Sequence, residues 1–148
     1  MWLNCFCGQP YLNLLPTRVN LAKMGVAQDT LCPICGLDDT VVHILWTCPS
    51  SNDVWGGGPV KLPKSGGVGG SFPDVLESVL GWCDTKKAEL FAVTARRIWL
   101  RRNSIIHGEK FIHPSQLLRE AQTSLEEFRR VNYKAQSESS HWSWASRC

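Results

Sequence analysis

Three cysteines and one histidine lie close together in the stretch CPICGLDDTVVHILWTC, and side chains of these types bind zinc. The spacing is Cys-x2-Cys-x7-His-x4-Cys, formed by Cys32, Cys35, His43 and Cys48. Zinc takes four tetrahedral ligands from thiolate and imidazole groups, and this segment supplies four. Two cysteines separated by two residues can hold one ion from a tight turn, which Gly36 allows to close. The pattern therefore predicts one zinc ion without an open coordination position, which is typical of a structural site.

The alternative interpretation of these four residues is a set of buried free thiols and a core histidine, since free cysteine is among the most buried residue types. Four ligand-type side chains within so short a stretch favour the metal. The other cysteines give weaker signals: Cys5 and Cys7 are separated by a single residue, which makes a poor chelating pair, and Cys83 and Cys148 are interpreted as core and tail residues. A total of seven cysteines is odd and does not suit a closed disulfide framework.

Two aspartates, Asp38 and Asp39, lie between the ligands and invite comparison with the paired aspartates of a polymerase. Such a pair needs a hairpin of apolar strands to direct both carboxylates at metal ions, whereas these residues are flanked by turn residues. We therefore expect both side chains to lie in a solvated loop.

The composition predicts a soluble, intracellular protein. Of 148 residues, 43% are hydrophobic and 20% are charged, with a net charge of +3, which is ordinary for a globular domain. No apolar run approaches the roughly 18 residues of a membrane span, and the N-terminus lacks the features of a secretory signal. We expect a nuclear or cytoplasmic location, where thiols stay reduced. The basic excess lies in residues 75–148, which is a weak indication of a polyanionic partner.

Composition and periodicity divide the chain into four segments. The predicted fold is mainly α: a small CCHC zinc-binding domain at 12–55, a flexible glycine-rich linker at 56–71, a helical region at 72–134 and a mobile tail at 135–148. Within these segments, helices are expected at 16–25, 72–83, 85–107 and 114–134, and one or two helical turns at 40–46. Another helix is expected to start at Cys48-Pro49 and to end near Trp55. Residues 26–55 contain few large apolar side chains, so we expect zinc to fold them separately from the helices at 85–134.

Several stretches of this sequence resemble a known family. LPTRVNLAKMGV (15–26), DTLCPICG (29–36) and TVVHILWTCPSSNDVW (40–55) together resemble the zinc-binding domain that follows reverse transcriptase in plant LINE-type (non-LTR) retrotransposons. ARRIWLRRNSIIHGEKFIHPSQLL (95–118) resembles the helix that links that domain to a ribonuclease H-like domain. The resemblance implies Cys32, Cys35, His43 and Cys48 as zinc ligands and no catalytic residue. It also implies a role in holding RNA or target DNA, and we expect a separately encoded remnant of a retroelement.

The function predicted from these features is a non-enzymatic zinc module that binds RNA or DNA without strong sequence specificity. Arginines neutralise phosphates and a tryptophan face can stack on a base, so the candidate contacts are Arg18, Lys23, Arg96, Arg97, Trp99, Arg101 and Arg102. The alternative for Trp99 is a core position, and the arginines spread around their helix. The alternative function is a non-catalytic protein-interaction or structural remnant of a retroelement polyprotein, which binds another protein chain through exposed apolar faces. Neither a membrane nor a small-molecule substrate is expected as a partner.

Overall fold

The computed structural model describes residues 13–61 and 70–145, and within these ranges the chain is mainly helical. The elements in chain order are α1 (Arg18–Lys23), a π-helical turn (His43–Thr47), α2 (Pro49–Gly57), α3 (Phe72–Trp82), α4 (Thr85–Ile106) and α5 (Pro114–Ala145). This confirms the predicted mainly α fold. The predictions for Cys5, Cys7, Cys148 and the linker residues 62–69 concern positions outside the described residues. Among the helices that are described, none combines the length and the apolar character needed to cross a bilayer.

Local capping explains where the helices begin and end. Thr17 Oγ1 accepts a hydrogen bond from the backbone N–H of Asn20 at 3.1 Å and so starts α1. Ser71 and Asp84 cap α3 and α4 through their side-chain oxygens in the same way. Each cap satisfies a backbone donor that has no partner within the helix. Gly108, with φ of +73°, adopts the left-handed conformation that ends α4.

One hydrophobic core joins the zinc-ligand segment to the later helices. Its centre is Phe91 of α4, whose ring stacks on Trp55 of α2 with the ring centroids 4.8 Å apart. The centroid of the Phe91 ring also lies 6.1 Å from that of Trp46 and 6.4 Å from that of Phe72. The expectation that residues 26–55 fold separately from the helices concerns the folding reaction, and this shared core argues against it. Those residues leave an apolar face that α4 covers, because burying it removes it from water.

The predicted boundaries need two corrections. Gly56 and Gly57, placed in the linker, form the end of α2, and Val60 is buried in the core. The last helix continues to Ala145 instead of ending near residue 134. Its final turns contain neither glycine nor proline, so nothing in the local sequence stops the helix. The mobility of the tail at 135–148 stays a prediction.

We expect Phe91→Ala to lower the free energy of unfolding by about 3–5 kcal/mol. It removes the ring that contacts Trp55 in the zinc-ligand segment and Phe72 in the later helices. Tyr133→Ala, at an exposed position of α5, is the control and should cost less than about 0.5 kcal/mol. Urea denaturation of both zinc-loaded variants measures the difference. A loss smaller than about 1 kcal/mol for Phe91→Ala would contradict a core shared between the two halves.

Candidate metal centre

The four predicted ligands converge in the folded chain. The ligand atoms of Cys32, Cys35, His43 and Cys48 all lie within 4.8 Å of one another. Around a zinc ion with Zn–S bonds of about 2.3 Å, a regular tetrahedron separates its sulfur atoms by about 3.8 Å. Cys35 is partly exposed, and the other three ligands are buried. Residue types, separation and burial thus fit one tetrahedral zinc ion.

A tight turn presents the first two cysteines. The backbone N–H of Cys32 donates to the Leu37 carbonyl at 2.6 Å, and the N–H of Gly36 donates to the Cys32 carbonyl at 2.9 Å. Gly36 has φ of +76°, a left-handed conformation that costs other L-residues roughly 1–2 kcal/mol. An isolated antiparallel bridge between Leu31 and Asp38 closes the base of the turn. The predicted role of Gly36 is therefore confirmed.

The π-helical turn places the other two ligands on the same side of the chain. His43 and Cys48 are five residues apart. In an α-helix, at about 100° per residue, their side chains would point about 140° away from each other. Here the backbone N–H of Cys48 donates to the carbonyl of His43, five residues earlier, at 2.7 Å. This wider turn reduces the angle between the two side chains and turns both towards one ion.

The same turn leaves two carbonyl groups that the backbone cannot satisfy, because Pro49 has no N–H. Side chains of α2 replace the missing donors. The Ser51 hydroxyl donates to the Ile44 carbonyl, and the Trp55 indole N–H donates to the Leu45 carbonyl at 2.8 Å. All these groups are buried, where an unpaired carbonyl would be costly. Residues 49–55 thus stabilise the turn that positions two of the ligands.

Burial prepares His43 as a neutral ligand. Burial lowers the pKa of its imidazole, and the charges of Asp39 and Asp38 only partly oppose this effect. Nε2 faces Cys35 Sγ at 3.2 Å, while Nδ1 lies 3.4 Å from Thr47 Oγ1. Zinc bound at Nε2 would leave the ring proton on Nδ1, where it can be donated to Thr47. Such a hydrogen bond fixes the orientation of a metal-binding imidazole.

The cysteine environment requires a cation. Burial raises the pKa of the Cys48 thiol to about 12, although the backbone N–H of Ser50 partly counteracts this effect. The negative charges of Cys32 and Cys35 raise it further. Three thiolates are therefore unfavourable here without a positive charge between them. A bound Zn²⁺ ion supplies that charge and keeps the sulfur atoms deprotonated.

Residues 3–55 match the protein family described as zinc-binding in reverse transcriptase, and the matched stretch contains all four ligands. The match supports a reverse transcriptase zinc-binding domain in this part of the chain. The match covers about a third of the 148-residue chain and contains no catalytic domain. No curated protein and no solved structure matches the chain. The cofactor of the zinc-binding domain is one zinc ion, held by Cys32, Cys35, His43 and Cys48.

Three of the residues predicted to contact nucleic acid are buried, which corrects the expectation that they face solvent. Arg101 and Arg102 are 4% and 6% exposed, and Trp99 is buried beside them. Arg101 donates to Ser50 Oγ and Arg102 donates to Asp39. The guanidinium carbon of Arg102 also lies 5.3 Å from the centre of the Trp99 ring. Trp99 thus occupies the core position that was its alternative interpretation.

The other four predicted residues retain contact with solvent. Lys23 is exposed, and Arg96 is partly exposed. Arg18 forms an ion pair with Asp29 at 3.3 Å. Arg97 forms one with Glu120 at 3.3 Å and also donates to Ser124 Oγ at 2.6 Å. The predicted basic surface is therefore smaller than the sequence indicated, and Arg18 and Arg97 already have an acidic partner.

Asp39 has a structural role that the sequence did not indicate. It is fully buried rather than solvated, and its Oδ2 accepts from the Arg18 backbone N–H at 2.8 Å and from Arg102 Nη2. Only Asp38 is exposed as expected. Arg102 is 63 residues away in the chain, so no local pattern could assign it as the partner. The sequence feature that could have indicated a buried partner was the pair of adjacent arginines, Arg101 and Arg102, on a helix with an apolar face.

We expect the purified protein to contain one equivalent of zinc, and Cys35→Ser to lose it, because a hydroxyl is a much poorer ligand for zinc than a thiolate. Cys83→Ser is the matched control, since Cys83 does not belong to the ligand cluster. Metal analysis after gel filtration measures both variants. Wild-type protein that keeps its fold without metal at neutral pH would refute the assignment.

Removal of zinc should loosen α4 together with the π-helical turn, because the shared core and the buried Arg102–Asp39 pair connect them. Hydrogen exchange before and after chelation should show lower amide protection in residues 43–47 and 98–106 alike. Amides around Arg129, which pairs with Glu89 on the α4–α5 interface, serve as the internal reference. Full retention of protection in residues 98–106 would instead support a separately folding zinc segment.

Proposed function

We propose that this chain is a non-catalytic module in which zinc has a purely structural role. The observation that carries the proposal is the closed ligand set: protein side chains fill all four tetrahedral positions, and three of them are buried. No position is left for a water molecule or a substrate, which catalytic zinc sites need. The resemblance of residues 15–55 and 95–118 supports an origin in a plant LINE-type retrotransposon. Zinc bound by thiolates suits a reducing compartment and supports a nuclear or cytoplasmic location.

We further propose that the module binds RNA or DNA through phosphate contacts and does not read the base sequence. The matched family belongs to reverse transcriptases, which act on nucleic acids. The solvent-accessible cations among the predicted contacts are Arg18, Lys23, Arg96 and Arg97. Such contacts supply affinity and position but carry no sequence information. Binding is expected to be weak, because Arg18 and Arg97 must exchange an acidic partner for a phosphate.

Titration of fluorescent single-stranded RNA and DNA with zinc-loaded protein tests this function. If all four cations meet phosphates, the slope of log K against log salt concentration should be about −3, at roughly 0.7 per contact. Lys23→Glu should make this slope less steep by at least about 0.7. Fluorescence anisotropy at several salt concentrations, starting near 20 mM, provides the measurement.

Lys134→Glu is the matched control, because it makes the same charge change on an exposed residue of α5. It should leave the slope within error of the wild-type value. The absence of any anisotropy change at the lowest salt concentration would refute nucleic-acid binding. Equal effects of the two variants would show that only the net charge matters and that the named residues form no binding surface.

A second candidate function is docking on another protein chain, and the exposed apolar side chains of the zinc-binding domain favour it. Met24, Val26 and Leu37 are 73%, 68% and 61% exposed. Because the matched family is a part of reverse transcriptases, the partner that we propose is the polymerase portion of such an enzyme. Apolar docking resists salt, so binding of a purified polymerase fragment at high salt, weakened by Leu37→Ser, would support this function.

A further inference from the structure

Two buried arginines of α4 reach the zinc site, although α4 lies outside the matched residues 3–55. Arg101 Nη2 donates to Ser50 Oγ at 2.6 Å and to the Ser50 carbonyl at 3.4 Å. Arg102 Nη2 donates to Asp39, which precedes the π-helical turn. Both guanidinium groups thus contact residues next to the ligand-bearing segments of the zinc-binding domain.

The same guanidinium groups share a cavity with two of the ligand residues. A small cavity of about 10 Å³ is lined by Cys32, Cys48, Arg101 and Arg102, among other residues. Burial lowers the pKa of both guanidinium groups. At Arg101 this effect is opposed by Asp53 and then by Cys48, and at Arg102 by Asp39 and then by Cys32. Within the described part of the chain, Arg101 Nη1 and Arg102 Nε are buried donors without a hydrogen-bond partner. Donors of this kind next to thiolates are suited to N–H···S contacts.

The charges of the zinc ligands and of the buried residues around them balance only when the two arginines are included. Three thiolates, a neutral imidazole and Zn²⁺ together carry one net negative charge, and the buried Asp39 adds a second. Leaving such charge uncompensated in the interior costs several kcal/mol. The two guanidinium groups neutralise both charges.

We propose that Arg101 and Arg102 are positioning residues of the zinc site, which neutralise the zinc–thiolate charge and orient Cys48 and Cys32. The metal-binding unit therefore extends from the zinc-binding domain into α4. This inference rests on the zinc site and is independent of nucleic-acid binding.

The test is the zinc affinity of full-length variants, measured by competition with a chromophoric chelator. Arg101→Met and Arg102→Met should each raise the dissociation constant for zinc about 10–100-fold, the usual effect of losing a group that supports metal ligands. Arg97→Met is the matched control on the same helix, because Arg97 pairs with Glu120 instead of the zinc site. It should change the constant by less than about twofold. Arg101→Lys and Arg102→Lys should bind zinc more tightly than the methionine variants, since they keep the positive charge.

Asp39→Asn separates charge neutralisation from a merely structural ion pair. If the pair only holds α4 in place, Asp39→Asn should weaken zinc binding just as Arg102→Met does. If the guanidinium charge stabilises the thiolates, removing the opposing carboxylate should leave the affinity unchanged or increase it. If the methionine variants fail to fold, Asp39→Asn can still be measured, because asparagine has nearly the same shape as aspartate, and a loss of zinc affinity in that variant would overturn the proposal.

Cobalt substitution adds a spectroscopic measurement. N–H groups near a sulfur ligand stabilise its lone pairs, so the sulfur-to-cobalt charge-transfer band should move to longer wavelength in the arginine-to-methionine variants but not in Arg97→Met. Unchanged zinc affinity in both methionine variants, or parallel losses in Arg102→Met and Asp39→Asn, would overturn the proposal. Wild-type protein without zinc would instead refute the site itself, so the two failures are distinguishable.

Discussion

The convergence of three thiol groups and one imidazole on a single ion is the constraint on which the rest of the structure depends. These groups lie within 4.8 Å of one another in a mostly buried place, where deprotonated sulfur atoms would repel each other without a cation. The chain meets this constraint with two different backbone devices, a left-handed glycine after Cys35 and a widened turn after His43. Other elements then cover the widened turn: α2 donates hydrogen bonds to its carbonyl groups, and α4 packs against its apolar side chains.

The candidate site was largely predictable from the sequence, because its ligands are close together in the chain and only a few residue types bind zinc. The ion pair between Arg102 and Asp39 was not predictable. An arginine on an amphipathic helix has the same local pattern whether it faces solvent or a buried carboxylate. Only the tertiary fold, which brings together residues 63 positions apart, distinguishes the two environments. The same limitation explains why Arg101 was a candidate nucleic-acid contact and why the sequence left both a contact and a core position open for Trp99.

The helices were predictable because caps such as Thr17 and Asp84 and the periodicity of apolar residues act locally. Their relation to the zinc segment was not, since a glycine-rich stretch indicates flexibility but does not reveal whether the elements on either side share a core. The aromatic ring of Phe91 decides that question, because it contacts Trp55 on one side of the stretch and Phe72 on the other. The π-helical turn also escaped prediction, because the apolar residues from Ile44 to Trp46 suit an ordinary α-helix equally well.

The widened turn also determines which changes in length the gene can tolerate. Deleting one residue between His43 and Cys48 would leave the two ligands four positions apart, on one side of an ordinary helical turn, but it would remove the wide turn whose carbonyl groups Ser51 and Trp55 satisfy. Inserting one would misplace Pro49 and Ser51, whose positions match the carbonyl groups that the turn leaves unpaired. Either change would leave buried carbonyl groups without donors, which is costly. The number of residues between His43 and Cys48 is therefore set by the α2 side chains that support the turn as well as by the two ligands.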